Sequence, residues 1–263
     1  MRLLFLLILV FSQNTFADDA FQKAKIVFND GHIEEGFITS FLENKHEYGT
    51  LEKNIDLDDK SFKFKITESA EIKEIFTTNV KQVILTGENG NNLVYEVVLL
   101  KELDKEGKVI EEGAQRVYLN PVRKGKINVY GIKYSERYVR TGKEMGYTEY
   151  DLGGKEYFFY YQNAKDNFAI NYFNVGMGSI FKLKKRMLNP LKEMYKDCPS
   201  ALEYIDANID EANIDKKAMK AHDKVLKSEF KLLPEENKND LKILHYYECF
   251  EMDELINIYE KCK

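Results

Sequence analysis

The sequence predicts an α+β protein: a mainly antiparallel β body, barrel- or sandwich-like, followed by a small helical C-terminal region. Three observations predict it. Residues 18–181 carry about ten short alternating or aromatic-rich segments separated by turn residues, the pattern of antiparallel strands. No long amphipathic helical pattern lies between them, which argues against parallel-sheet architectures. After Met187–Ser200, MLNPLKEMYKDCPS, helical stripes follow and no strand pattern does. The chain therefore divides into a leader over 1–17, a β-rich body over 18–181 and a helical region over 182–263. The body reads as one barrel or sandwich, or as a small barrel followed by a larger sheet.

The leader is MRLLFLLILVFSQNTFA: Arg2 supplies the positive start, Leu3–Phe11 the apolar run, and Thr15-Phe16-Ala17 a small-x-small cleavage site. The apolar run is too short to span a bilayer, and no second long apolar run follows. The processed chain is expected to begin near Asp18 and to be exported: periplasmic, outer-membrane-associated or secreted.

Lys25–Phe41 reads as a hairpin, because Asn29-Asp30-Gly31 between two apolar runs tolerates the left-handed backbone of a tight turn. Gly36 is expected to mark a bulge or bend in its second strand. Leu42–Lys60 is polar and reads as loop or edge. Ser61–Thr67 alternates, with Phe62, Phe64 and Ile66 on one face and Lys63 and Lys65 on the other. Ile72–Phe76, Val80–Thr86, Leu93–Leu100 and Gln115–Asn120 are further strands. In Lys126–Tyr138 the apolar parity changes, and Gly131 is expected to permit a bulge there. Tyr147–Tyr150 and Glu156–Tyr161 flank Leu152-Gly153-Gly154, and Phe168–Phe173 completes the body after a hairpin connection over Gln162–Asn167.

In the helical region, Lys182–Lys196 carries a stripe interrupted by Pro190. Asp197 or Ser200 is expected to cap the next helix, with Ser200 and Glu203 at capping-box spacing. Asp215 caps a helix running to Phe230. Asp240–Lys263 reads as two helices or one bent helix with a break around Cys249–Glu251.

Composition narrows the class. Tyr and Phe occur 17 times each and Trp is absent, which suits strands and packing surfaces. The formal charge is −5, and loss of Arg2 with the leader makes it one unit more negative. Basic and acidic residues interleave along the chain, so no electrostatic footprint for nucleic acid or anionic lipid is expected.

The cysteines are Cys198, Cys249 and Cys262. Export permits a disulfide, and the odd count leaves one thiol over. Cys262 falls on the last helical stripe and Cys198 on the first turn after the junction, so Cys198–Cys262 is the favoured pair. Cys198–Cys249, or no bridge at all, are the alternatives. Closing so long a loop is worth on the order of 4 kcal/mol by chain entropy. No C-x-x-C suggests a redox dithiol or a zinc site.

Tests for chemistry are negative. His32, His46, His222 and His245 form no H-E-x-x-H, and no nucleophile elbow is present. Asp206–Asp215 repeats Ala-Asn-Ile-Asp, but a calcium loop starting at Asp206 would need Gly where Glu211 stands and Glu where Lys217 stands. Gly176-Met177-Gly178 lacks the rest of a dinucleotide motif. Asp56, Asp58 and Asp59 read as a solvated loop. No catalytic residue, metal site or cofactor is therefore assigned. The run Tyr157–Tyr161 alternates faces, so Tyr157, Phe159 and Tyr161 are the candidate for an exposed aromatic surface taking a protein or carbohydrate of the envelope.

In outline the chain resembles exported β-rich proteins of Bacteroidetes-type bacteria to which no activity is assigned. The resemblance is carried by Phe28-Asn29-Asp30-Gly31-His32-Ile33-Glu34-Glu35-Gly36-Phe37-Ile38, by the late Asp197-Cys198-Pro199, and by Tyr259-Glu260-Lys261-Cys262 near the end. It implies no catalytic residue. The expected function is a non-enzymatic envelope or secreted protein, a binding or assembly module without nucleic acid or a transmembrane segment. The competing expectation is an extracytoplasmic hydrolase or carbohydrate-acting enzyme whose residues converge from separate loops.

Overall fold

Asn29-Asp30-Gly31 makes the turn expected of it. Gly31 has φ 90° and its N–H donates to Phe28 O at 3.0 Å, while the Asp30 carboxylate accepts from His32 N at 3.0 Å. The turn joins β1 (Phe21–Phe28) to β2 (Ile33–Thr39). The computed structural model describes residues 21–39, 45–47, 61–87, 92–104, 108–141, 147–170, 188–209 and 216–262. The leader 1–17, Asp56, Asp58, Asp59, Gly176-Met177-Gly178 and the segment 210–215, with its Asp215 cap, lie outside the described residues.

Beyond the hairpin follow β3 (Lys45–Glu47), β4 (Ser61–Lys65), β5 (Lys73–Phe76), a 3-10 turn over Thr77–Asn79, and β6 (Val80–Thr86). The sheet is completed by β7 (Asn92–Leu100), β8 (Gln115–Arg123), β9 (Ile127–Thr141) and β10 (Tyr147–Asn163). They form one sheet in the order β10-β9-β8-β7-β6-β1-β2-β4-β5, antiparallel along that path, with β3 added parallel to β9. β3 lies in the polar segment Leu42–Lys60, which reads from sequence as loop or edge. It pairs with Ser135–Arg137, past the point where β8 leaves β9 near Gly131.

The first part of the sheet curls. Ile75 of β5 and Val83 of β6 stand far apart in strand order, yet both belong to one buried cluster with Ala24, Ile26, Ile38, Phe62, Phe64 and Tyr118. Gly36 lies inside this curl for a reason other than a bulge. The β1–β2 register runs through Ala24↔Gly36 without a shift, and a Cβ on Gly36 would stand 2.4 Å from Lys65 O and 2.7 Å from Phe64 Cζ. Glycine is there because β4 and its ring lie against the backbone.

The second part is covered on both faces where its side chains are described. On β9, Ile127 and Val129 face the helices, while Tyr130 and Ile132 face a cluster with Val98, Val117, Leu119 and Tyr160. The change of parity is therefore a strand buried on both sides, and the pairing of β9 with β10 has no shift at Gly131. A Cβ there would meet Val122, Leu241 and Phe159 at 3.1–3.2 Å, so this glycine admits the helical layer. The expected break at Leu152-Gly153-Gly154 is a bulge inside one strand, between Asp151↔Arg137 and Lys155↔Ser135. β8 continues through Pro121 with its own shift between Pro121 and Arg123. Instead of a strand at Phe168, Ala169 and Ile170 make single bridges to Leu100 and Tyr161, and residues 171–173 lie outside the described residues. Ile66 is 62% exposed, because β4 ends at Lys65.

The helical layer comprises a helical segment at 188–194, then α1 (Pro199–Asn208), α2 (Lys216–Leu232), α3 (Leu241–Glu248) and α4 (Phe250–Lys261). The N-cap of α1 is Cys198, extended at φ −128° and ψ 96°, and neither Asp197 nor Ser200 serves. Pro199 takes the first helical position, where its missing N–H costs nothing, and that moves Ser200 inside the helix. Asp240 caps α3, accepting from Lys242 N at 2.7 Å. The chain breaks at Cys249, between α3 and α4, as the pattern predicts. Ala201, Ile205, Leu244, Met252, Leu255, Ile256 and Tyr259 bury their stripes against Val122, Ile127, Val129, Phe159 and Tyr161. The protein is thus an antiparallel sheet body followed by a few C-terminal helices, the α+β arrangement the sequence predicts.

Candidate functional site

The handover from sheet to helices is tied at several points. Cys198 and Cys262 lie at disulfide distance, with Cα atoms 5.9 Å apart and 64 residues between them in sequence. Asp197, just before, accepts from Tyr259 Oη at 2.8 Å through one carboxylate oxygen and meets Lys165 Nζ at 3.1 Å through the other. The Tyr259 hydrogen bond and then Lys165 hold its carboxyl below the usual range. Glu260 accepts from Lys126 N at 2.7 Å, and Lys126 Nζ reaches the carbonyls of Tyr259 and Cys262. The C-terminal turn of α4 is therefore fastened to the loop before β9, to the loop after β10 and to the start of α1.

Beside this knot lies a cleft of about 630 Å³, walled by Phe168, Ile170, Pro190 and Met194 with Lys165, Glu193 and Asp197 at its rim. Four of its charged groups are engaged with one another: Lys165 with Asp197, and Lys196 with Glu193. Asp197 is held as a carboxylate, one oxygen facing Tyr259 Oη and the other Lys165 Nζ, and its lowered pKa makes it a weaker base than an ordinary carboxylate.

The aromatic run does not form the exposed surface expected of it. Phe159 and Tyr161 are 4% and 0% exposed, and Tyr157 is half-buried against the same helical cluster. The run alternates as expected, but over Tyr157–Tyr161 both faces of β10 are covered: Phe158 and Tyr160 enter the second cluster. Only the helical layer, which lies far along the chain, decides this.

Beneath α3 and α4 the covered rings meet a polar network. Tyr161 Oη lies 3.2 Å from Nε2 of His245, a histidine only 2% exposed, whose ring also stands edge-on to Phe159 at 5.0 Å. His245 Nδ1 is 3.6 Å from Asp253 Oδ1, and Arg123 joins from β8 with Nη1 at 3.4 Å from Asp253 and Nη2 at 3.0 Å from Asn257. His245 first, then its charge and that of Arg123, hold the Asp253 carboxyl below its ordinary value. Cys249 stands near, free of any disulfide, with its thiol pushed up to about 12 chiefly by burial. A cysteine nucleophile needs the opposite shift, toward thiolate near neutral pH. Cys249, His245 and Asp253 therefore share residue types with a catalytic triad but not its electrostatics. They line neither the large cleft nor the smaller one next to Cys262. From sequence, His245 falls within the helical stretch Asp240–Lys263 and has no assigned partner. Its partners Asp253 and Asn257, four residues apart on α4, were the missed signal.

The remaining histidines stand apart: His32 is stacked on Phe28 in the first turn, and His222 packs near Phe250 on the surface of α2. Asp206 lies within α1 and pairs with Lys192 at 2.6 Å, so it begins no metal loop. Among the described residues no cluster of His, Cys, Asp or Glu is placed to hold a metal ion.

At the other end of the sheet, β5 is the terminal strand and pairs with β4 alone among the described residues. Around it Ile66, Ile72 and Phe76 are 62%, 55% and 53% exposed. Ile66 and Ile72 flank the turn joining β4 to β5, and Lys73 is drawn across β4 to Glu34 at 2.6 Å. The sheet thus ends in a short open edge bordered by apolar side chains.

Comparison with protein-family models, curated proteins and solved structures finds no match for this chain. The cysteine pair is compatible with an oxidising compartment. Among the described residues no helix is long and apolar enough to cross a membrane.

Proposed function

We propose that the protein is an exported, non-enzymatic envelope or secreted protein that binds another macromolecule through the open edge of its sheet. The observation that carries this reading is β5. Among the described residues no strand lies along its outer edge, and Ile66, Ile72 and Phe76 around it are more than half exposed. An extended segment of a protein partner would satisfy both at once, by main-chain pairing along the edge and burial of the apolar side chains. The groups best placed for chemistry lend no support to the hydrolase alternative: Asp197 is held as a carboxylate by Tyr259 and Lys165, and burial pushes the Cys249 thiol up to about 12.

The reading is tested with a photoreactive amino acid introduced at position 76 and irradiated in the intact producing cell. A discrete crosslinked adduct, lost when Ile72→Asp is added, is the expected result. No adduct at position 76, together with turnover of glycan or ester substrates by the purified protein, would transfer the assignment to the hydrolase class.

A further inference from the structure

The bond between Cys198 and Cys262 joins two helix ends of opposite sign. Cys198 is the N-cap of the ten-residue α1, and Cys262 is the C-cap of the twelve-residue α4. The helix dipole puts partial positive charge at the first end and partial negative charge at the second. Were the bond to open, a thiolate would be favoured on Cys198 and disfavoured on Cys262. No side chain caps α1, so no other acceptor occupies that end. Ser200 Oγ stands 3.4 Å from each sulfur and can donate to a charged one.

Exposure divides the pair in the complementary sense. Cys198 is 0% exposed, whereas Cys262 is part-exposed and Ser200 beside the bond is an exposed residue. Cys262 also borders the smaller cleft, of about 260 Å³, together with Lys126, Lys165 and Tyr259. A group arriving from solvent therefore meets Cys262 before Cys198. Thiol–disulfide exchange depends on access to the attacked sulfur and on how well the departing thiolate is stabilised. Both select one reaction here: attack at Cys262 with departure of Cys198.

We propose that Cys262 is an exchange site for a small external thiol, with Cys198 as the leaving group and then the resealing one. The external thiolate uses its electron pair to bond Cys262 Sγ. The bond between Cys262 and Cys198 breaks, and its pair leaves with Cys198 as a thiolate beneath α1. Cys262 is then a mixed disulfide. In the return step the Cys198 thiolate attacks Cys262 Sγ and expels the external thiolate, so nothing is oxidised or reduced overall. Resealing is favoured because the two ends stay together once the covalent bond is open. Tyr259 Oη still donates to Asp197 at 2.8 Å, Lys126 N to Glu260 at 2.7 Å, and Lys126 Nζ to the carbonyls of Tyr259 and Cys262. These ties raise the local concentration of Cys198 at Cys262, as a short linker does. The site stands apart from β5 and does not depend on the partner taken there.

Exchange with glutathione as the external thiol tests the proposal. The unmodified protein is held in about 10 mM reduced glutathione near pH 8, quenched with acid, alkylated and mapped by peptide mass. Glutathione should be found on Cys262 and the alkyl label on Cys198, by about tenfold or more over the reverse pattern. The adduct should disappear when free glutathione is removed by gel filtration. In Cys198→Ser, loaded with glutathione disulfide, it should persist on Cys262. Tyr259→Phe keeps the ring and removes the hydrogen bond to Asp197, and should raise the mixed-disulfide fraction roughly threefold. The mapping uses the unmodified protein, so it stands even where a variant fails to fold. Glutathione on Cys198 with the label on Cys262, an equal division between them, or no exchange at all overturns the proposal. An adduct that outlasts gel filtration in the unmodified protein, or a fraction unchanged by Tyr259→Phe, overturns the resealing step. A lost crosslink at position 76 leaves each of these results unaffected.

Discussion

At Gly36 the cost of any side chain is set by two atoms that already occupy its place, Lys65 O and the Phe64 ring. Gly36→Ala should destabilise the protein by about 2 kcal/mol, as overpacking of a buried site does, and a shifted urea midpoint with unchanged slope would measure it. Asp253 offers a pH-dependent case. His245 and Arg123 lower its folded pKa below the ordinary 3.8. A depressed carboxylate contributes stability that is present above the unfolded pKa and lost as pH falls through the folded one. Stability should therefore fall as pH drops below about 4, and Asp253→Asn should flatten that part of the profile while lowering stability at neutral pH. A profile identical to the unmodified protein would show that Asp253 is not coupled to folding. Such residues are poorly legible in sequence. Gly36 was read as a bulge and Gly131 likewise, because a glycine announces backbone freedom or close approach in the same letter, and only neighbours from other strands tell which.

Among the elements, the Cys198–Cys262 pair joins the first turn of α1 to the end of α4. Replacing both cysteines by serine should cost about 4 kcal/mol on the chain-entropy estimate. It should also make α1 and α4 the first sites of limited proteolysis, while the sheet keeps its protection. Peptide mapping without reductant should find Cys198 joined to Cys262, and Cys249 should alkylate slowly until denaturant exposes it, as a thiol pushed up to about 12 requires. Helical stripes and their break at Cys249 were legible because a period of 3.6 is a local property. The cap of α1 was not, since Pro199 shifted the boundary by dictating which residue could be first. β3 escaped notice for a related reason: its pairing with β9 is long-range, and its three residues carry no alternation of their own.

For the whole molecule, reading residues 1–17 as a leader makes a start near Asp18 the expected outcome, and the intact mass of the protein isolated from its producing cell checks it; retention of Arg2 would refute that reading. From its sequence alone the chain determined its class: strand-forming segments first, a β-to-α handover over Met187–Ser200, and helical stripes after it. These follow from short-range periodicity, turn chemistry and proline, which act within a few residues. Only the tertiary structure decided which faces are covered. Tyr157, Phe159 and Tyr161 alternate as any half-buried strand would, yet the helices lie over them and the second cluster takes the rings between. The exposed apolar surface lies instead around β5, where no other strand of the described fold comes to lie. Burial depends on what distant segments bring to a face, and a pattern local to one segment cannot carry that information.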